Sequence, residues 1–114
     1  MVSKNKYVPK RGDIVWLNFN PQVGHEQMGK RPALVLSPAE YNQKTSLAIF
    51  CPITSKEKGY PFEVKIDGKK ISGAVLSDQI KSLDWTVRQA EFIELIENSA
   101  LKEVEDNIKL LILP

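Results

Sequence analysis

Cysteine and histidine are nearly absent from this chain of 114 residues, which contains one of each, Cys51 and His25. A single cysteine cannot form an intramolecular disulfide or a cysteine-based metal cluster, and it is typical of a protein from a reducing compartment. A single histidine excludes a pair of imidazoles acting as acid and base, and it excludes a histidine-rich metal site. We therefore expect no metal, no cofactor and a cytoplasmic location.

Long apolar runs and glycine-rich phosphate loops are missing as well. No stretch of 18 consecutive apolar residues occurs, and no apolar segment follows the basic residues near the N-terminus, so neither a membrane span nor a signal peptide is predicted. The absence of P-loop and Rossmann patterns removes support for nucleotide-driven chemistry. With 42% hydrophobic residues, the chain can build one core, and we expect a single domain over residues 1–114.

The net charge of +2 conceals an uneven distribution. Residues 1–90 contain 14 basic and 8 acidic residues, a net charge of +6, whereas residues 91–114 contain 2 and 6, a net charge of −4. A basic body is compatible with a polyanionic partner such as nucleic acid, while an acidic tail is ordinary for a surface helix.

Short apolar runs rich in branched and aromatic residues, separated by turn signals, predict strands through the first ninety residues. The apolar and polar alternation of residues 62–66 is typical of a half-buried strand, and Asp67-Gly68 after it is a two-residue hairpin signal. A short helical turn is predicted from Ser37, as N-cap, to Tyr41. The predicted strands cover residues 14–19, 33–36, 47–50, 62–66, 73–76 and 87–93.

The C-terminal segment has the period of an amphipathic helix, because Leu101, Val104, Ile108 and Leu111 recur at intervals of three and four residues. We expect this helix over about residues 99–112, with Asn98 and Ser99 as possible N-caps. Several short strands followed by one helix predict a mainly β fold with a C-terminal α-helix. A small barrel or strongly bent sheet over about residues 10–95 is favoured, because closure removes exposed strand edges.

Charged and hydroxyl side chains concentrate where predicted strands end, and on a small barrel these ends would converge on one rim. Cations, a carboxylate and hydroxyls together suit a reaction at a phosphodiester, in which charge builds on phosphorus and protons are transferred. The alternative is a surface ion pair between Glu26 and Arg31, with lysines that only keep the protein soluble. The three groups are Glu26, Lys30 and Arg31; Thr54, Ser55, Lys56 and Lys58; and Asp78, Gln79 and Lys81.

Two remaining polar residues receive simpler interpretations. Cys51 ends an apolar run, and we expect its thiol to be buried and inert rather than nucleophilic. His25 lies in the polar loop between the first two predicted strands, where a surface position or an RNA contact is favoured over catalysis.

Five ordered motifs resemble the MazF/PemK toxins of bacterial toxin–antitoxin systems, and the MazF branch in particular. The resemblance is collinear from about Tyr7 to Trp85, and the acidic C-terminal helix agrees in type. The motifs are residues 12–16 (GDIVW), 24–38 (GHEQMGKRPALVLSP), 51–55 (CPITS), 58–62 (KGYPF) and 78–82 (DQIKS).

This resemblance implies an SH3-like small β-barrel of the CcdB/PemK-like toxin fold that forms a homodimer. It further implies an mRNA interferase: a metal-independent endoribonuclease that cuts single-stranded RNA, chiefly mRNA, at a short sequence, inhibits growth and is neutralised by an acidic, MazE-like antitoxin. No membrane partner is implied.

The family pattern also implies residue roles. Arg31 and Thr54 match the catalytic positions, and Glu26 matches a loop glutamate with a supporting acid/base role. Because an arginine stays protonated, we assign Arg31 to electrostatic stabilisation, with proton donation as a second role, and favour Glu26 as the base. The expected RNA-contacting residues are Asn20, His25, Lys30, Ser55, Lys56, Lys58, Tyr60, Asp78, Gln79 and Lys81.

Two functions from other classes remain as alternatives. The CcdB toxins have the same barrel and poison DNA gyrase without nuclease activity, but they lack the pair formed here by Arg31 and Thr54. The other alternative is a non-catalytic SH3-like module that binds RNA.

Overall fold

The computed structural model describes residues 7–19 and 29–113. Within these ranges neither helix combines the length and the apolar character needed to cross a membrane. The elements are β1 (Asp13–Asn18), β2 (Lys30–Val35), α1 (Ala39–Thr45), β3 (Leu47–Thr54), β4 (Glu63–Asp67), β5 (Ser72–Leu76), β6 (Lys81–Asp84), β7 (Glu91–Leu95) and α2 (Asn98–Ile112).

The strands form one curled antiparallel sheet in the order β4-β5-β3-β2-β1-β7, with β6 paired to β3 outside this path. β3 has eight residues; it pairs with β2 along one edge and divides the other between two strands, its first four residues pairing with β6 and Ile53 and Thr54 pairing with β5. Dividing one strand between two partners bends the sheet into a half-barrel. The predicted mainly β fold with a C-terminal helix is confirmed, and the curled sheet is consistent with an SH3-like barrel.

The central strands are buried on both faces. Successive residues of β1 point to opposite sides, so Ile14 joins one core and Val15 the other. The first core also contains Leu34, together with Ala100 and Val104 of α2. The second core is centred on Leu17, Val35 and Phe50, and Trp85 and Phe19 pack against it.

The strand predicted at residues 87–93 was wrong over its first half. β7 begins at Glu91, and residues 85–89 form a turn. Asp84 stabilises this turn, because its Oδ1 accepts hydrogen bonds from the backbone N–H of Thr86 at 2.8 Å and of Val87 at 3.0 Å. Such an Asx turn competes successfully with the β-propensity of Val87.

The predicted helix caps were wrong as well. Pro38 occupies the N-cap position of α1, and Glu97 that of α2. Ser37 is instead buried, where its hydroxyl donates to Asn42 Oδ1 at 2.6 Å and accepts from the Ile49 backbone N–H at 2.9 Å. A tertiary hydrogen bond has therefore replaced the expected local one.

The hairpin between β4 and β5 is closed by Glu94 of β7. Asp67 pairs with Ser72, so the connection has four residues, 68–71, and not the two that Asp67-Gly68 predicted. The Glu94 carboxylate accepts backbone hydrogen bonds from Lys69 (3.1 Å), Lys70 (3.0 Å) and Ile71 (2.9 Å). A Cβ at Gly68 would lie 2.3 Å from Glu94 Oε2 and 2.9 Å from the Ile71 carbonyl oxygen, so a side chain there would displace this carboxylate.

These contacts lower the pKa of Glu94. Desolvation by burial, the largest single influence, raises it, but the hydrogen bonds from Ile71, Lys70 and Lys69 and the charge of Lys70 together outweigh that effect. A depressed pKa in the folded state stabilises the fold above the pKa of the unfolded chain, about 4.3 for glutamate. This contribution disappears as the pH falls through the lower, folded-state pKa.

We expect Glu94→Gln to lower the free energy of unfolding at pH 7 and to have a smaller effect at pH 3, because pH 3 lies below the pKa of the unfolded chain and the charge contributes less there. Urea unfolding of both proteins between pH 3 and pH 7 measures this difference. Glu103→Gln, an exposed change on α2, is the control and should leave the pH profile unaltered. A destabilisation by Glu94→Gln that is the same at every pH would contradict the assigned electrostatic role.

Candidate functional site

The register between β2 and β3, continued two residues past its last pair, sets Arg31 across from Thr54. These strands pair antiparallel through Ala33 with Pro52, Leu34 with Cys51 and Val35 with Phe50. Continuing the register by two residues brings Arg31, the second residue of β2, across from Thr54, the last residue of β3. Opposed residues of an antiparallel pair share one face, with Cβ atoms about 4.5–5.5 Å apart where the pairing continues.

The Arg31 guanidinium is available to a ligand. The residue is exposed, and on its other side β2 pairs it with Leu17, which belongs to the second core. Across the parts of the chain that the structure describes, the ion pairs are Arg11–Glu105, Lys30–Glu91 and Lys102–Asp106. None of them involves Arg31, so its fork of donors can bind phosphate oxygens.

The Thr54 hydroxyl is oriented by the loop that follows it. Its Oγ1 accepts the Lys56 backbone N–H at 3.0 Å, which forms a turn closed by a threonine side chain. Because a hydroxyl has one proton and two lone pairs, this contact uses a lone pair and leaves the proton to donate. Thr54 is therefore a hydrogen-bond donor beside the arginine.

Gly73 of β5 fixes the backbone at this point. It has a positive φ of 146°, and a Cβ there would lie 2.2 Å from the Thr54 carbonyl oxygen. Such a separation is far inside van der Waals contact, so β5 can approach Thr54 this closely only through glycine.

The loop after β3 and the loop after β5 lie side by side. Glu63, which opens β4, pairs with Leu76, which ends β5. At this junction the Phe62 carbonyl accepts hydrogen bonds from the Ser77 backbone N–H at 3.1 Å and from its hydroxyl at 2.5 Å. This junction joins the end of the loop after β3, which carries Ser55, Lys56, Lys58 and Tyr60, to the start of the loop after β5, which carries Asp78 and Gln79.

Lys30 and Lys81 lie farther from this centre. Lys30 Nζ forms an ion pair with Glu91 Oε1 at 2.8 Å, and Lys30 points to the opposite face from its neighbour Arg31. Lys81 is exposed and pairs with Phe50 of β3. Phe50 precedes Thr54 by four residues, which separates the two along the strand by about 13 Å at the usual rise. Asn20, His25 and Glu26 lie outside the described residues.

Sequence reasoning missed three residues at this site: Lys65, Gly73 and Glu63. Ala74 of β5 pairs with both Thr54 and Lys65, so exposed Lys65 lies on the same face as Thr54, two strands away. In the sequence Lys65 and Glu63 are simply the polar positions of an alternating strand, and only the pairing of β4 with β5 gives them this location. The positive φ of Gly73 also has no clear sequence signal.

Cys51 lies close to this region but is chemically inert. It is fully buried, and burial, followed by the negative charge of Asp78, raises its pKa to about 12. The expectation of a buried cysteine is confirmed, and a raised pKa disfavours the reactive thiolate. In residues 7–19 and 29–113, no group of three or more His, Cys, Asp or Glu side chains is arranged to hold a metal ion.

Comparison with known proteins identifies the relatives of the chain. Residues 10–112 match the family described as "PemK-like, MazF-like toxin of type II toxin-antitoxin system". The chain is 43% identical over 108 residues to the endoribonuclease toxin MazF of Escherichia coli K12, covering 95% of this chain and 97% of the relative. It is also 34% identical to the Escherichia coli endoribonuclease PemK, covering 83% and 75% of the two chains.

Solved structures agree with this assignment. Crystalline MazF from Deinococcus radiodurans superposes with a TM-score of 0.84 at 52% identity, covering 94% of this chain and 98% of that one. MazF in a MazE–MazF complex from the same organism also gives 0.84, at 46% identity and with 94% and 97% coverage. The chain therefore belongs to the PemK-like, MazF-like toxin family of type II toxin–antitoxin systems.

Proposed function

We propose that this endoribonuclease toxin cuts single-stranded RNA, chiefly mRNA, at a short sequence through attack of a 2′-hydroxyl on the neighbouring phosphodiester. The register of β2 and β3, whose continuation sets Arg31 across from Thr54, is the observation that supports the proposal. The names of its relatives, endoribonucleases MazF and PemK, support the activity. They do not favour gyrase poisoning or a non-catalytic RNA-binding module.

Arg31 and Thr54 act on the scissile phosphate. The arginine fork binds two non-bridging oxygens and stabilises the negative charge that grows on them as the 2′-oxygen attacks. Thr54 donates its free proton to the same group, since its oxygen is already held by Lys56. Exposed Lys56 and Lys58, with Lys65 on the Thr54 face, supply further positive charge along the RNA backbone.

Proton transfer completes the reaction. Glu26 accepts the proton of the 2′-hydroxyl, and the 2′-oxygen then forms a bond to phosphorus while the bond to the 5′-oxygen breaks. The departing oxygen takes up a proton, with Arg31 as its donor. The products are a 2′,3′-cyclic phosphate and a free 5′-hydroxyl, and no metal takes part.

We expect Arg31→Ala to lower kcat by about 100- to 1000-fold, the usual loss when one stabilising donor is removed from an active site. Cleavage of a long single-stranded RNA in EDTA measures the effect. Lys69→Ala removes an equal charge from an exposed position in the β4–β5 hairpin and should change the rate less than two-fold. Undiminished cleavage by Arg31→Ala would contradict the assigned role, and an inactive wild type in EDTA would contradict metal-independent cleavage.

Replacing the 2′-hydroxyl by hydrogen at the cut position should abolish cleavage at that bond, because it removes the nucleophile. The measurement compares two oligonucleotides that differ only there, with product ends identified by mass spectrometry. The same replacement one nucleotide away serves as the control and should leave the cut intact. Continued hydrolysis at the modified position would identify an activated water as the nucleophile.

A MazE-like, acidic antitoxin is the proposed regulator in the cytoplasm. MazE–MazF complexes are among the similar solved structures. The face with Arg31, Lys56 and Lys58 suits an acidic, partly disordered segment that competes with RNA for the same cations. Rising salt should weaken both complexes to a comparable degree.

We also propose that the toxin is a homodimer formed through an apolar face at the end of α2. Leu110, Ile112 and Leu113 are between 61% and 73% exposed, an unusual concentration of apolar surface. Beside them runs a groove of about 380 Å³ lined by Leu36, Ile49, Ile80, Ile108 and Ile112. A second copy fits this mostly apolar face better than an acidic antitoxin does, because Arg11 and Glu105 of the groove neutralise each other and, of the described residues, Lys109 is the one other charged residue that lines it.

Ile112→Glu should convert the dimer to a monomer, because it places a charge in the buried interface. Sedimentation equilibrium across a range of protein concentrations measures the association. Ser99→Glu adds the same charge at an exposed position at the start of α2 and should remain dimeric. A wild type that is monomeric at all concentrations, or a dimer unaffected by Ile112→Glu, would contradict this interface.

A further inference from the structure

Glu63 holds the loop that carries four of the expected RNA contacts. Its Oε1 accepts the backbone N–H of Gly59 at 2.9 Å, and the Lys58 N–H lies 3.1 Å from Oε1 and 3.0 Å from Oε2. The Glu63 backbone N–H also donates to the Tyr60 carbonyl at 3.1 Å. One residue therefore binds three consecutive positions, 58, 59 and 60.

The other end of this loop is held by Thr54. Residues 55–62 connect β3 to β4, and Thr54 Oγ1 binds Lys56 at the start of the connection. Glu63 binds residues 58–60 near its end. The loop is thus held between a proposed catalytic residue on one side and a carboxylate on the other.

The loop conformation suits this anchor. Gly59 has a positive φ of 81°, and the N–H groups of Lys58 and Gly59 converge on one point, an arrangement that binds an anion. No atom lies within 4 Å of a Cβ built on Gly59, so side-chain packing does not hold the loop there. The carboxylate of Glu63 supplies the anion from within the chain.

We propose that Glu63 is a positioning residue that fixes the 55–62 loop for RNA binding, and that it takes no part in the chemistry. This inference rests on the proposed function, since RNA is the ligand that the loop contacts. Glu63 holds Lys58 and Tyr60 in place, and through the junction of Phe62 with Ser77 it also sets the position of Asp78 and Gln79. Substrate binding and cut-site selection are therefore the properties it controls.

Glu94 provides a matched control within the same chain. It binds three backbone N–H groups of the β4–β5 hairpin in the same way. Glu63 and the hairpin lie at opposite ends of β4. Glu63→Gln and Glu94→Gln therefore each remove the charge that holds one loop, but only the first loop carries expected RNA contacts.

The experiment measures kcat and KM for a defined RNA, and Kd for the same RNA with hydrogen in place of the 2′-hydroxyl at the cut position. We expect Glu63→Gln to raise KM and Kd about ten-fold, the equivalent of one hydrogen bond to a charged group, with kcat changed less than two-fold. Cleavage at secondary sequences should increase relative to the preferred one. Glu94→Gln should leave all three constants unchanged.

Limited trypsin digestion tests the loop without relying on RNA. Glu63→Gln should speed cleavage after Lys56 and Lys58 and leave Lys69 and Lys70 unchanged, whereas Glu94→Gln should do the reverse. Digestion is performed well below the unfolding midpoint of each variant, so that global unfolding does not contribute.

The outcomes separate the two proposals. A wild type that cuts no RNA contradicts the proposed function, while the trypsin pattern still reports whether Glu63 holds the loop. If the wild type is active, unchanged KM and Kd in Glu63→Gln overturn the positioning role. A fall in kcat with constant KM also overturns it, because it would place Glu63 in the chemical step.

Discussion

Antiparallel pairing between β2 and β3 is the interaction on which the site depends. It brings together Arg31 and Thr54, which are 23 positions apart in the sequence. Burial on both faces holds this register, because Leu34 and Cys51 pack into one core while Val35 and Phe50 pack into the other. A shift of one residue would send each of these side chains into the opposite core, where it would not fit its packed neighbours. The position of Arg31 and Thr54 therefore depends on the packing of β2 and β3 into both cores.

Loops around this rigid centre are held by carboxylates rather than by packing. Asp84 closes the turn before β7, Glu94 closes the β4–β5 hairpin, and Glu63 holds the loop after β3. In each case an acidic side chain binds two or three backbone N–H groups, which gives an exposed segment a defined shape without a core of its own. This arrangement also explains why Glu63 and Asp84 lie in the basic body without forming ion pairs with the cations that the structure describes: their oxygens accept hydrogen bonds from the backbone.

Much of the fold could be predicted, and the errors share a cause. The alternation in β4 predicted the burial of Val64 and Ile66, and the three-and-four spacing in α2 predicted the burial of Val104, because burial on one face imposes a period on the sequence. The caps at Ser37 and Asn98, the two-residue hairpin and the start of β7 were wrong. Three of these errors arise from side-chain hydrogen bonds that the predictions did not include. Ser37 binds Asn42 and the backbone of β3 instead of capping a helix. Glu94 binds the β4–β5 hairpin, and Asp84 binds the backbone of Val87 in a turn.

The sequence by itself determined the residue types of the site, the basic body and acidic tail, and the order of the strands and final helix except for β6, which was not predicted. Five motifs in order also carried the resemblance to the toxin family that the comparisons bear out. Only the tertiary structure decided which of those residues meet. The β2–β3 register sets Arg31 across from Thr54, and Lys30 forms an ion pair with Glu91. Lys65 lies on the same face as Thr54, and Glu63 binds the loop after β3. The physical reason is that strand register and loop anchoring arise from contacts between residues far apart in the chain, and local composition does not record them.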